Sequence, residues 1–75
     1  MFYMITKGDC PWCDKAKELL QQRKAPLGVF HYDEHLMIVK LMRGFGLRTV
    51  PQIWHEDEYI GGYENLVEWL KNNDA

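Results

Sequence analysis

Cys10-Pro11-Trp12-Cys13 holds both cysteines of this 75-residue chain and stands between two kinds of pattern. Before it, Phe2-Tyr3-Met4-Ile5-Thr6 is a short apolar run of β-prone residues, which reads as a buried strand. After it, Trp12, Cys13, Ala16, Leu19 and Leu20 recur at helical spacing, with Lys15, Lys17, Glu18, Gln21 and Gln22 on the wet face. Lys7-Gly8-Asp9 is then a loop, and Pro11 suits the first helical position because its missing N–H has no intrahelical partner there anyway. The dithiol therefore falls at a strand-to-helix junction. Pro26 is read as the stop of this helix.

Beyond the helix, residues 27–33 form a second strand. Two strands joined by a helix of this length make a βαβ unit, so they should be parallel. A second helix is expected over residues 34–43, with Gly44 as its end. Pro51 to His55 and Tyr59-Ile60, separated by the acidic turn Glu56-Asp57-Glu58, read as a β-hairpin broken by Gly61-Gly62. A last helix over residues 63–72 places Tyr63, Leu66, Val67 and Leu70 on one face. The order βαβαββα gives an α/β fold: one domain over residues 1–75, with a mixed four-stranded sheet flanked by three helices.

Composition agrees with a small packed domain. Apolar residues make up 47% of the chain and aromatics 13%, too many for a disordered segment. A net charge of −2, with no basic run, argues against a nucleic-acid partner. No apolar stretch is long enough for a transmembrane helix, and Met1 to Ile5 lacks the features of a signal peptide. The expected location is cytoplasmic, with no membrane partner and a monomeric state. A structural disulfide would be unusual there, and so small a ring stabilises a fold little. The cysteine pair is better explained by chemistry.

That chemistry needs a thiolate. A helix N-terminus offers unpaired N–H groups and the positive end of the helix dipole, and Cys10 falls at that end. Its sulfur is positioned to accept from the Cys13 N–H, and Lys7 adds a cation, while Asp9 and Asp14 oppose the effect weakly. Cys10 is read as the catalytic nucleophile. Cys13, one turn in and on the apolar side, is read as the less exposed, resolving thiol. Pro11 stiffens the turn, and Trp12 is an aromatic beside the sulfur on which a ligand can pack. The competing reading is a metal site. Cys10, Cys13, His31 and His35 are spaced C-x2-C-x17-H-x3-H, close to a zinc pattern. The gap is longer than usual, and His31 lies in a strand-like run rather than on a helix with His35. No metal ligands are assigned.

Three segments together resemble the glutaredoxins, a family of the thioredoxin-like superfamily. Thr6-Lys7-Gly8-Asp9-Cys10-Pro11-Trp12-Cys13 is similar to the family's T-K-x-x-C-P-[YFW]-C. Arg48-Thr49-Val50-Pro51-Gln52 resembles its T-V-P segment, and Ile60-Gly61-Gly62-Tyr63-Glu64-Asn65-Leu66 its I-G-G-x-x-[DN]-L. The likeness covers nearly the whole chain.

The resemblance implies a glutathione-dependent disulfide oxidoreductase of the dithiol type. Glutathione would act as reductant and co-substrate, with no permanently bound cofactor. Disulfide-bearing proteins would be the partners, a ribonucleotide reductase among them. It implies a cis Val50-Pro51 bond, which turns the Val50 backbone toward Cys10 so that a thiol peptide can pair as an added strand. It also places glutathione against Lys7, Trp12, Arg48, Thr49, Val50, Pro51, Gly62, Tyr63 and Glu64. The final helix would take the γ-glutamyl carboxylate at its N–H groups, with Lys7 and Arg48 at the glycyl end. Taken alone, Gly61-Gly62 is a plain turn and Lys7 a solvated base. The chain departs from the family at Ile38, where many members carry a basic or polar residue; Lys40 or Arg43 are the substitutes. Tyr63 stands where some members have a third cysteine. Two alternatives remain at this point: a relative reduced by thioredoxin reductase, and a metal or iron–sulfur binding module using Cys10.

Overall fold

The computed structural model describes residues 1–73. The chain runs β1 (Phe2–Thr6), α1 (Pro11–Gln22), β2 (Leu27–His31), a 3-10 turn (Tyr32–Glu34), α2 (Leu36–Gly44), β3 (Gln52–His55), β4 (Glu58–Gly61) and α3 (Tyr63–Asn73). The strands form one mixed sheet in the order β2-β1-β3-β4. β1 lies parallel to β2, with Phe2 opposite Leu27 and Thr6 opposite His31. β3 is antiparallel to both β1 and β4, and a register shift falls between Ile53 and Trp54. This is the expected βαβαββα fold.

Side-chain alternation along the strands sorts the two sheet faces. Phe2, Met4 and Ile53 share one face and pack with Ala16 and Leu20 of α1 and Leu66 and Leu70 of α3. Burying each of the larger of these side chains stabilises the fold by about 1.5–3 kcal/mol relative to leaving it exposed. Phe2 also meets Trp69 edge-on, with centroids 5.5 Å apart, and His55 stacks beside them. The opposite face is thinner. Tyr3, Ile5, Phe30 and Trp54 border a shallow apolar hollow, with Ile38 of α2 at its wall.

Several boundaries differ from the sequence expectation. β2 ends at His31 because Tyr32 and Asp33 already belong to the 3-10 turn. α1 ends before Pro26 comes into play. Lys24 adopts φ +55°, its N–H donates to the Gln21 carbonyl at 2.9 Å, and the Ala25 N–H donates to the Leu20 carbonyl at 3.1 Å. That pair of bonds is a Schellman ending, with a lysine in the left-handed position usually held by glycine. α2 ends in the same way one glycine later than expected. Gly44 is still helical; Gly46, at φ +71°, makes the turn, and the Leu47 N–H donates to the Met42 carbonyl at 2.8 Å. Within α2 only Met42 is buried, while Leu36, Met37 and Leu41 are exposed, as is Phe45 just beyond it.

Candidate functional site

β1 delivers the chain to the Lys7–Asp9 loop, and Asp9 takes φ +53° before α1 begins. Asp tolerates the left-handed region better than most residues. Cys10 is the N-cap of α1 and Pro11 its first residue. The Cys13 N–H donates to Cys10 Sγ at 3.2 Å, so one of the helix's orphan donors is directed at that sulfur. The two cysteines are joined as a disulfide. They are not equivalent: Cys10 is 7% exposed, and Cys13 is fully buried on the face of α1 that also carries Ala16 and Leu20. An incoming group meets Cys10 first. Once reduced, a thiol at a helix N-cap facing a backbone N–H is held toward thiolate.

The wall opposite is the segment before β3. Val50-Pro51 is cis, Pro51 is buried, and the Val50 carbonyl oxygen lies 3.8 Å from Cys10 Sγ. This segment is fastened from behind by Gln52, which is nearly buried. Its Nε2 donates to the Thr49 carbonyl at 2.8 Å and to Thr49 Oγ1 at 3.3 Å, and its Oε1 accepts from the Tyr59 hydroxyl.

A hollow opens on each side of Val50. One, of about 240 Å3, is lined by Trp12, Thr49, Val50, Pro51, Gly62, Tyr63, Glu64 and Asn65. Here Trp12, half exposed, leans on Tyr63 with ring centroids 5.6 Å apart, and the Lys15 ammonium lies 4.5 Å from the Trp12 ring centroid. Asn65 Oδ1 accepts from the Gly62 N–H at 3.2 Å, one half of a capping box at the start of α3. The N–H groups of Tyr63 and Glu64 open that helix, where intrahelical partners are lacking. Gly61 has φ +123°, and a Cβ there would come within 2.7 Å of Asn65 Oδ1. The other hollow, of about 680 Å3, has Lys7, Arg43 and Arg48 together with Tyr32, Val39, Met42, Leu47, Thr49 and Val50 in its lining.

The residues that the sequence assigned to glutathione lie around Cys10, Cys13 and Pro11 in two groups; of the two substitutes named for Ile38, Arg43 borders the larger hollow and Lys40 does not, and Ile38 itself lines the hollow on the other sheet face. Trp12, Pro51, Gly62, Tyr63 and Glu64 lie on one side, Lys7 and Arg48 on the other, with Thr49 and Val50 common to both. Sequence reasoning assigned no site role to Asn65, Gln52 or Tyr32. Asn65 had a signal, as the third residue of a helix that opens on glycine. Gln52 and Tyr32 had none, since their parts depend on contacts between distant segments. His31 ends β2 and His35 precedes α2; among the described residues no group of three His, Cys, Asp or Glu is placed to share a metal ion.

The glutaredoxin family model matches residues 2–60. Glutaredoxin 1 of Escherichia coli is 31% identical across 89% of this chain and 88% of its own length. Two solved structures share the fold. The buckwheat glutaredoxin–glutathione complex superposes with a TM-score of 0.80 at 24% identity, covering 95% of this chain and 68% of that one. The glutaredoxin-like NrdH-redoxin of E. coli, described as having a thioredoxin-like activity profile, gives 0.81 at 20% identity, covering 92% of each. At these identities the two structures speak for the fold alone. The family match, however, runs through both the dithiol and the Val50-Pro51 turn, and on that basis the chain belongs to the glutaredoxin family of thiol–disulfide oxidoreductases.

Proposed function

We propose that this protein reduces protein disulfides and protein–glutathione mixed disulfides with glutathione as the electron source. The observation that carries the reading is the pair of hollows flanking Val50 and Cys10, with helix N–H groups at one end and cations at the other. Glutathione has a carboxylate at each end and its thiol between them. Its γ-glutamyl carboxylate suits the Tyr63 and Glu64 N–H groups, and the Glu64 side chain suits its amino group. Its glycyl carboxylate suits Lys7 and Arg48.

In this reading Cys10 thiolate attacks the glutathione sulfur of a mixed disulfide. A Cys10–glutathione bond forms, and the protein leaves as thiolate. A second glutathione thiolate then attacks that adduct, releasing oxidised glutathione and restoring Cys10. With a protein disulfide, Cys10 forms the mixed disulfide and one protein thiolate departs. Cys13 then attacks Cys10 sulfur, the second protein thiolate leaves, and the Cys10–Cys13 disulfide remains, which is the state seen in the structure. Two glutathione thiolates reduce it in turn.

The test is a glutathione-coupled assay on wild type, Cys10→Ser and Cys13→Ser. Cys10→Ser should be inactive, and Cys13→Ser should keep mixed-disulfide reduction while losing protein-disulfide reduction. Full activity in Cys10→Ser would refute the roles. The second reading is the alternative left open by the sequence, a glutaredoxin relative reduced by thioredoxin reductase. Supplying each reductant separately decides between the two: turnover with thioredoxin reductase and none with glutathione would replace the first reading.

A further inference from the structure

The two hollows beside the dithiol are unequal in the opposite sense to the ends of glutathione. Its bulkier γ-glutamyl end is assigned to the hollow of about 240 Å3, and a single glycine to the one of about 680 Å3. Most of the larger hollow is then left over. Its charge is left over too. Lys7, Arg43 and Arg48 all border it, none is held in an ion pair among the described residues, and no carboxylate lines it. Indeed no Asp or Glu occurs between Glu34 and Glu56. One glycyl carboxylate brings a single negative charge to Lys7 and Arg48 and leaves Arg43 unanswered. Between the cations lie Val39, Met42 and Leu47, which give the hollow an apolar floor.

We propose that the larger hollow reads the protein substrate. It favours disulfides in which the chain continues, on the C-terminal side of the attacked cysteine, with acidic residues interleaved with an apolar one. The proposal rests on the glutathione orientation proposed above, carried over to a substrate chain that pairs along Val50 with its C-terminal side toward Lys7. A hollow of this volume is about 9 Å on edge, and three extended residues at about 3.4 Å each span it. The first and third side chains after the cysteine then lie on one side, toward Lys7, Arg48 and Arg43, and the second turns toward Val39, Met42 and Leu47. The exchange itself is unaltered: the substrate disulfide breaks, a Cys10–substrate disulfide forms, and the other substrate sulfur leaves as thiolate.

The sign of the effect makes the proposal testable. The whole chain carries −2, so its long-range field favours a cationic peptide, whereas the hollow favours an anionic one. The probes are synthetic peptides with one intramolecular disulfide, followed by a Glu-Leu-Glu, Ser-Leu-Ser or Lys-Leu-Lys tail. A fourth carries Glu-Leu-Glu before the first cysteine instead. Pre-reduced protein is mixed with each in the absence of glutathione, and single-turnover oxidation of Cys10–Cys13 is followed by acid quench and mass spectrometry. Exposed ion pairs give about two- to fivefold each, so two should make the Glu tail about tenfold faster than the Ser tail at low salt. The Lys tail should be slowest, and the spread should collapse toward about twofold at 1 M salt. Arg43→Gln should lower the Glu-to-Ser ratio to about threefold. Equal rates for Glu and Lys tails, an unchanged ratio in Arg43→Gln, or equal acceleration by the N-terminal Glu arm would each overturn the proposal. Since no glutathione is present, failure here leaves glutathione turnover to be judged by its own assay. Loss of that turnover with the peptide preference intact would count against the glutathione reading alone.

Discussion

Gly61→Ala should be among the most damaging single-methyl additions this fold can receive, and its cost divides into two parts that can be measured separately. The first is conformational. At φ +123° an L-residue leaves its allowed regions, which costs about 1–3 kcal/mol. The second is a collision. The new Cβ would stand 2.7 Å from Asn65 Oδ1, 2.8 Å from its Cγ and 3.0 Å from its Cβ. The amide must swing away, and its bond from the Gly62 N–H is lost, which adds about 0.5–1.5 kcal/mol. The total is about 1.5–4.5 kcal/mol. A 75-residue domain has an unfolding entropy near 0.16 kcal/mol/K, so each kcal/mol lowers Tm by about 6 °C, and the expected fall is about 9–27 °C. Far-UV circular dichroism melts of wild type, Gly61→Ala, Asn65→Ala and the double variant complete a thermodynamic cycle. In the Asn65→Ala background the contacts with Oδ1 and Cγ and the bond from the Gly62 N–H are absent, and only the 3.0 Å contact with the residue-65 Cβ remains, so Gly61→Ala should cost less by most of the second part. A fall below about 5 °C in the wild-type background would refute the conformational argument, and an equal cost in both backgrounds would refute the collision.

The remaining predictions probe other parts of the same frame. Gly46→Ala sits at φ +71° with nothing within 4 Å of its would-be Cβ, so only backbone strain applies; urea titration should show a loss of about 1–2 kcal/mol. Gln52→Leu strips the Tyr59 hydroxyl and the Thr49 carbonyl of a partner, and should cost about 1–3 kcal/mol in the same titration. It should also raise the KM for a glutathionylated peptide, because the Thr49–Val50 wall loses its fastening. Glu56 bonds the N-terminal ammonium of Met1, and this holds its carboxyl below the ordinary value of 4.5. A lowered folded-state value gives stability that is present above pH 4.5 and lost as the pH falls below it. Glu56→Gln should therefore flatten the acid limb of a Tm-against-pH curve; an unchanged limb would remove the pair from the stability of the fold.

Local signals carried well from sequence to structure. Phe2–Thr6 and Pro11–Gln22 were legible because their apolar spacing and the placement of Pro11 agree, and Cys10 and Cys13 fall where the strand-to-helix junction puts them. α2 was harder. Its apolar residues cover more than half its circumference, so periodicity cannot say that Met42 is buried while Met37 and Leu41 are not. In Gly44-Phe45-Gly46 either glycine can end a helix, and the choice of the second depends on the Leu47-to-Met42 bond. Lys24 carries no cue for a left-handed turn. The site was legible as a set of residues, not as two hollows. Arg43, which the sequence offered together with Lys40 as a substitute at the glycyl end, borders the same hollow as Lys7, whereas the support of Thr49 by Gln52 exists only once the chain is folded.

Cys13 shares one line along α1 with Ala16 and Leu20, three to four residues apart, so the second sulfur of the reactive pair is a member of the packed interior. Heredity then cannot tune the two independently. A lineage that swaps Ala16 for a bulkier neighbour to gain thermal tolerance shifts the helix and thereby the angle at which one sulfur meets the other. In engineering terms, repacking beneath α1 is a way to adjust electron-transfer behaviour without altering any residue that a substrate touches.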